Sequence, residues 1–584
     1  MEMTLKPTDL VDFTSLFHQE GFILKKVVGT TYSLNYETLL MLILALIYGH
    51  GADDAIDKKT NEISPAALLA AIRKVRNENL LTVFCQADRA VLAAKDDEAH
   101  LMTLLDAFVR PVPVAKTSQG GFSSFHSKVW LAAFEKNDGS EEKAFRLIVT
   151  SRNLTSNRDF DAVAVFDSTD KGNGGVVDVI KRQVDVDKEG QVGELFRDFD
   201  DARFGIGAFS FLKDGVINAA RLGKCHSIFS PFLDPVQLDG LKPEHPINIF
   251  SSQQEIYKLG EIVRNEKFRF FMLNPDLNEH AENEDRAGGR HFGLHAKLYI
   301  SDDAVILGSS NFTYRGLTRN REFNVEIKKG IREDDLLDYV GVGKKENESP
   351  QERQARERSG MFLPYQAPPE PEKEPDAPEE KLNEILQALA CGPLKAEYVD
   401  GKLSLTVPYR PEAGVTIRWK PFLQGEEDFK DPGKEALCWD VSKENVCRIF
   451  DCEVEIGGAE ARIQMLAELD ADLWDERFTA EKRKISIDDE INFKMLNIEG
   501  VENLYGREVP LRRDAGGRAG CGQTRMPQPP IFERLLEADR DRLKRFFLDD
   551  PLQKREDGED PSGLYEAFVE MGRFFGFDPE VKRS

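Results

Sequence analysis

Along the first 340 or so residues, short apolar runs alternate with longer stretches whose apolar positions recur at helical spacing. Leu81–Cys85, Phe145–Thr150, Ile247–Phe250 and Phe268–Leu273 predict strands, while Pro65–Val75 and His100–Phe108 predict helices. This alternation is the mark of an α/β fold. The pattern then collapses. Between Gly341 and Lys381 charged runs give way to six prolines from Pro364 to Pro378, a composition that cannot bury a core and predicts a solvated linker. Beyond it the pattern returns as strands. Lys395–Val407 predicts a hairpin about Asp400-Gly401, a type I′ turn pair, and Val415–Phe422, Cys452–Ile456 and Ala461–Leu469 continue a β-rich module. From Pro530 onward the spacing is helical again. The longest apolar run, Leu39 to Tyr48, is about half of a bilayer span and predicts a buried core helix.

Length and charge narrow the picture. A chain of 584 residues exceeds one domain of about 100–200 residues, so two or three packed units are expected. Lys and Arg number 78 against 103 Asp and Glu, a net charge of −25 that excludes a wholesale basic nucleic-acid coat but leaves room for a local basic cleft. None of the seven cysteines stands in Cys-x-x-Cys spacing, and all nine histidines lie at or before His295, so no metal-ligand cluster is expected. The N-terminus lacks the basic stretch and apolar core of a signal peptide, so a cytoplasmic chain without stable membrane association is expected.

The chemistry is carried by an internal duplication. Phe125-His126-Ser127-Lys128 is followed by Thr150-Ser151-Arg152-Asn153 and then Arg158-Asp159-Phe160; Leu294-His295-Ala296-Lys297 is followed by Gly308-Ser309-Ser310-Asn311 and then Arg321-Glu322-Phe323. The two blocks stand about 160–170 residues apart. His-x-Lys alone is a weak signal, and a lone pair of this kind is usually a surface contact. Ser-x-Asn after a strand is ordinary turn chemistry, and Asn153-Leu-Thr and Asn311-Phe-Thr also fit a glycosylation sequon. None of these readings accounts for the repetition. On a strand, positions i and i+2 face one side, so each His and its Lys point together. Lysine supplies positive charge, and the Ser and Asn side chains supply neutral donors, a set suited to phosphoryl oxygens. Of two histidines, one can attack as neutral imidazole and one can protonate the leaving oxygen, with Asp159 and Glu322 each able to accept the other ring N–H.

With these residues in view, the chain resembles the phospholipase D superfamily, whose signature is His-x-Lys-x₄-Asp-x₆-Gly-Ser-x-Asn. His295, Lys297, Asp302, Gly308, Ser309 and Asn311 fit it, with Glu322 where nuclease members carry a supporting acid. The first block departs, with Ala133 for the Asp, Thr150 for the Gly and a hairpin lengthened at Glu135–Lys143. Loss of that Asp resembles the tyrosyl-DNA phosphodiesterase branch. The resemblance spans about residues 25–335, supported by Thr30–Glu37 and Ser227–Asp234. It implies two pseudo-symmetric α/β/α halves, 1–170 and 171–340, ahead of a charged Pro-rich linker at 341–381, a β-rich accessory module at 382–526 and a helical C-terminal segment at 527–584.

The resemblance further implies a metal-independent phosphodiesterase without cofactors, working through a phosphohistidine. On the tyrosyl-DNA phosphodiesterase pattern His126 is the nucleophile with Asp159 orienting it, and His295 is the general acid with Glu322 behind it. Lys128, Lys297, Asn153 and Asn311 hold the phosphoryl oxygens, with Ser151, Ser309 and Asp302 in support. The short motif spacing points to a DNA nuclease, of a type associated with phage defence or DNA processing and with a helicase or other defence-system protein as partner. A phospholipase D or phosphatidyl transferase, and a non-catalytic nucleic-acid-binding scaffold, are the alternatives. Arg512, Arg513 and Arg518, in a Gly/Arg-rich loop, are candidate phosphate contacts.

Overall fold

The computed structural model describes residues 13–48, 56–57, 62–63, 65–93, 96–117, 121–156, 159–184, 191–205, 208–210, 217–275, 293–343, 349, 360–368, 377–433 and 436–484, with 569, 572, 573 and 577. Arg512, Arg513, Arg518 and nearly all of the segment 527–584 therefore lie outside the described residues. Contacts divide the chain into a unit of residues 1–40 and 79–474 and a second unit of residues 41–78 and 475–584. In the second unit, helix Pro65–Asn77 presents Arg73 to Phe478, with the guanidinium 5.2 Å from the ring centroid.

Two sheets of matching topology dominate the larger unit. The first is built from β1 (Phe22–Thr31), β2 (Leu81–Gln86), β3 (Val109–Val112), β4 (Val129–Lys136), β5 (Lys143–Thr150) and β6 (Val163–Asn173), in the order β6-β5-β4-β1-β2-β3. The second holds β7 (Ala208–Ser210), β8 (Ser227–Phe229), β9 (Ile247–Ser251), β10 (Phe268–Leu273), β11 (Leu298–Ile300), β12 (Val305–Gly308), β13 (Asn324–Ile327) and β14 (Phe362–Pro364), in the order β7-β13-β12-β11-β8-β9-β10-β14. In each, three parallel strands (β1-β2-β3; β8-β9-β10) adjoin an antiparallel meander (β4-β5-β6; β11-β12-β13). The mixed α/β class expected from the apolar pattern is present. The central parallel strands β2 and β9 are mostly apolar because both faces of the sheet are covered, and every residue of both is buried.

A shared detail confirms the equivalence of the halves. At the end of β1, the Thr31 hydroxyl donates to the Ser33 carbonyl (2.7 Å) and accepts from the Leu154 N–H (3.0 Å). After β8, the Ser230 hydroxyl donates to the Phe232 carbonyl (2.6 Å) and accepts from the Phe312 N–H (2.9 Å). The core runs across both halves: Leu307, Phe323, Val325 and Ile327 of the second pack with Val129, Leu131 and Val149 of the first.

The stretch 341–381, expected to be a solvated linker, contributes structure at both ends of its described part. Phe362–Pro364 is an edge strand on β10, and Phe362 is fully buried against Phe229 and Phe250. Helix Ala377–Leu389 begins inside the stretch and lends Leu382, Ile385, Leu386 and Leu389 to the accessory core. Composition averages over a window, and one deeply inserted Phe among charges and prolines is invisible to it.

The accessory module is a sheet of β15 (Leu394–Val399), β16 (Lys402–Thr406), β17 (Val415–Pro421), β18 (Leu437–Asp440), β19 (Ile449–Ile456) and β20 (Ala459–Leu469), in the order β17-β19-β20-β15-β16-β18. Asp400 and Gly401, at φ of 50° and 81°, make the type I′ turn between β15 and β16. This module is fastened to the first half. Its core takes in Ala87 and Val114, Gln464 exchanges two hydrogen bonds with the Leu92 backbone, and the Arg448 guanidinium donates to the Asp106 and Val109 carbonyls.

Candidate active site

In each half the His-x-Lys segment is an extended stretch leading into the first strand of a hairpin, and Ser-x-Asn follows the second strand. The two motifs of a block therefore meet at one end of the sheet. The two ends are then joined through the pseudo-two-fold. Phe125 bridges Arg321 and Phe160 bridges Leu294, each as an isolated parallel pair. The His126 N–H donates to the Arg321 carbonyl and the His295 N–H to the Phe160 carbonyl, both at 2.9 Å. Both blocks thus form a single site.

These bridges cross the carboxylates over. His126 Nδ1 lies 2.9 Å from Glu322 Oε2, and His295 Nδ1 lies 3.0 Å from Asp161 Oδ1. Each histidine is held by an acid of the opposite half. This corrects two expectations. Glu322 stands behind His126 and not His295, and Asp159 orients neither His126 nor His295, since its carboxylate accepts the Gly293 N–H at 3.0 Å and clamps the entry to the second block. Asp161 is the acid that the sequence reading missed. Aligning Arg158-Asp159-Phe160 with Arg321-Glu322-Phe323 slips by two residues, because Phe160 and Arg321 are the equivalent bridge positions and Asp161 and Glu322 follow them.

The serines carry the same symmetry. The Ser151 hydroxyl donates to Asp161 (2.9 Å) and that of Ser309 to Glu322, so both are committed to positioning the acids and not free to meet a phosphoryl oxygen. Glu322 is further fixed through its backbone, whose carbonyl accepts from Gln183 Nε2 at 2.7 Å. Lys128 and Lys297 are buried, and their Nζ atoms donate to the carbonyls of His126 (2.9 Å) and His295 (2.6 Å). The amide oxygens of Asn153 and Asn311 are buried without a hydrogen-bond partner among the described residues, so both keep acceptor capacity there, and only their Nδ2 groups could donate to a phosphoryl oxygen. Asp302 does not join the site: it is exposed in the turn after β11, at the far end of the hairpin from His295.

Burial sets the electrostatics. It lowers both histidines, His295 to about 4 with Lys297 adding to the effect, which favours the neutral ring in both. It also lowers Lys297 to about 8, and Lys128 well below its usual value with further help from the Lys297 charge. Burial would raise the Glu322 carboxyl, but His126, Lys128 and Ser309 outweigh it and hold it below its ordinary range. The two lysines are thereby set against two carboxylates, buried Glu322 and partly buried Asp161, around the two imidazoles.

The departures of the first block also find their reasons. Ala133 lies inside β4, buried and paired with Lys26 and Phe145, where a carboxylate would be stranded in the sheet. In the second half the chain has already turned at the equivalent point. Gly308 has no room for a side chain, since a Cβ there would collide with the Phe323 carbonyl and the Asn324 amide. In the first half Val163 faces Thr150, whose hydroxyl accepts the Arg152 N–H.

Residues 271–336, which hold the second block from His295 to Glu322, match the family described as "Cardiolipin synthase, PLD-like domain". The chain carries a phospholipase D-like domain, in keeping with its α/β architecture. Among solved structures, phosphatidylserine synthase of Haemophilus influenzae Rd KW20 is similar over 64% of this chain and 88% of that chain, at a TM-score of 0.32 and 10% identity. No curated protein matches the chain.

Proposed function

We propose that this protein is a phosphodiesterase that cleaves DNA through a phosphohistidine, with no metal required for the chemistry. The observation that carries this reading is the pair of crossed His–carboxylate couples beside two buried lysines. His126 Nδ1 lies 2.9 Å from both the Ser309 carbonyl and Glu322. Neither can donate, so Nδ1 carries the proton and Nε2 presents its lone pair. In this reading His126 Nε2 attacks phosphorus while the bond to the leaving oxygen breaks. His295, protonated once a phosphodiester anion occupies the site, gives its proton to that oxygen. Neutral His295 then takes a proton from water, the hydroxide displaces His126, and the phosphorus–nitrogen bond breaks. Lys128, Lys297, Asn153 and Asn311 neutralise or bind the phosphoryl oxygens throughout. A helicase or other DNA-delivering partner belongs to this reading, because the bulk charge of −25 disfavours unassisted DNA binding.

The family description favours a second reading, in which an alcohol replaces water and the chain transfers a phosphatidyl group. One experiment separates the two. The purified chain is incubated in EDTA with plasmid, single-stranded DNA, RNA and phosphatidylglycerol, and the His295→Asn variant is quenched and mapped by mass spectrometry. The expected result is nucleic-acid cleavage that survives chelation and an acid-labile phosphoramidate on His126, absent from His126→Asn. Phosphate on His295 would reverse the roles, turnover of the lipid alone would select the second reading, and a modified serine or complete loss in EDTA would overturn the mechanism.

A further inference from the structure

The mouth of the site carries an aromatic and cationic strip that the two-fold does not repeat. Tyr32 follows β1 and packs its ring on His126, with centroids 4.9 Å apart. Arg89 and Lys128 stand 5.4 and 5.6 Å from the Tyr32 centroid. The shared hydroxyl bridges of Thr31 and Ser230 make Pro231 the counterpart of Tyr32, so His295 has no such wall. The second half instead turns aromatic residues outward, with Phe232 53% and Tyr314 41% exposed. These two lie on neighbouring segments, since Asp234 N–H donates to the Phe312 carbonyl and the Asp234 carboxylate accepts the Tyr314 N–H. Arg319 covers the Tyr314 ring at 4.9 Å. The segment after Tyr314 is tied to the approach to His126, because Ser123 Oγ donates to the Arg319 carbonyl and the Ser124 N–H to Asn320 Oδ1. Arg315 is exposed, has no ion-pair partner among the described residues, and its charge acts on the Tyr32 phenol. The acids in the neighbourhood are occupied: Asp88 is buried against Arg89 and Gln86, and Asp234 caps its helix.

Resting on the phosphodiesterase reading, we infer that this strip binds single-stranded nucleic acid, with Tyr32, Phe232 and Tyr314 stacking unpaired bases and Arg315 and Arg319 facing the backbone. Aromatic faces bind any base whose own face is free, and in a duplex those faces are covered by neighbouring pairs. Arginines beside the rings supply the focused positive charge that a strongly acidic chain otherwise lacks. A lipid would offer the headgroup phosphate but no flat rings.

The test is equilibrium binding of the full chain, read by fluorescence anisotropy, to a single-stranded oligonucleotide, to the same sequence as a duplex, and to phosphatidylglycerol vesicles. Single strands should bind more tightly than duplex. Tyr314→Ala should weaken single-strand binding about ten-fold while Tyr314→Phe retains it, as loss of one stacked base requires. Arg315→Ala should flatten the salt dependence by about one ion. Equal affinity for duplex with no effect of Tyr314→Ala, or vesicle binding lost in the same variants, would overturn the inference. Failure of the phosphohistidine trap would sink the proposed chemistry and leave these affinities untouched.

Discussion

The first and second halves share a strand order and a set of candidate site residues, yet each holds its histidine differently. His126 is the deeper ring: its Nδ1 has two acceptors, and Tyr32 packs on it. His295 has one acceptor, Asp161, its side chain is about 20% exposed, and a proline stands where the tyrosine would be. Duplication therefore supplied two similar groups, and local packing made them unequal. One is a fixed ring with a defined lone pair, the other a more open ring that solvent can reach. That inequality is what the proposed two-step displacement asks for, in which the acid must later activate water.

The sharpest way to break this comparison is to remove each carboxylate's charge. Asp161→Asn removes the charge that holds His295 Nδ1 and allows an amide N–H to face the ring, and should lower turnover by about 10²–10⁴-fold, since the tautomer and the imidazolium are no longer held. Glu322→Gln should cost less, about ten- to a hundred-fold, because the Ser309 carbonyl still accepts from His126 Nδ1. Steady-state and single-turnover rates on one substrate check both, and an inverted order would show that the second acceptor does not fix the tautomer.

A smaller effect should appear in stability. The His295 ring titrates near 4 in the folded chain against about 6.5 when unfolded, so the unfolded state takes up the proton first as pH falls. Stability is fully present above about pH 6.5 and is lost as pH drops toward 4, by a few kcal/mol from this group. His295→Asn should flatten that acid-side decline in urea midpoints measured from pH 7 to 4.5. An unchanged slope would place the titration elsewhere.

The smallest contrast concerns the position before each Ser-x-Asn. Gly308→Ala should cost about 1–3 kcal/mol, because a methyl there meets the backbone of β13. Thr150→Gly should cost about 0.5–1 kcal/mol from backbone entropy, with the lost hydroxyl bond to Arg152 adding to it. Thermal or urea unfolding of the two variants measures the difference. Equal costs would mean that β13 gives way.

How far the fold was legible varies from segment to segment. The strands Leu81–Gln86 and Lys143–Thr150, the hairpin at Asp400-Gly401 and the helix over Leu39–Tyr48 could be read because periodicity and turn chemistry are local. Phe362 could not, because its burial depends on a slot between Phe229 and Phe250 that no neighbouring residue announces. The residue types of the site were equally legible in the repeated His-x-Lys and Ser-x-Asn, and their partners were not.

The sequence by itself determined that two blocks of His, Lys, Ser and Asn stand at the same place in two α/β repeats, because in each block His-x-Lys precedes and Ser-x-Asn follows a strand pair, and an antiparallel hairpin returns both to one sheet end. Only the tertiary structure decided which carboxylate serves which histidine. The bridges of Phe125 to Arg321 and of Phe160 to Leu294 join segments 196 and 134 residues apart, exchange the acids between halves, and select Asp161 over Asp159. A one-dimensional pattern records the direction of each strand, but the partner across a two-fold axis is fixed only when the two sheets pack.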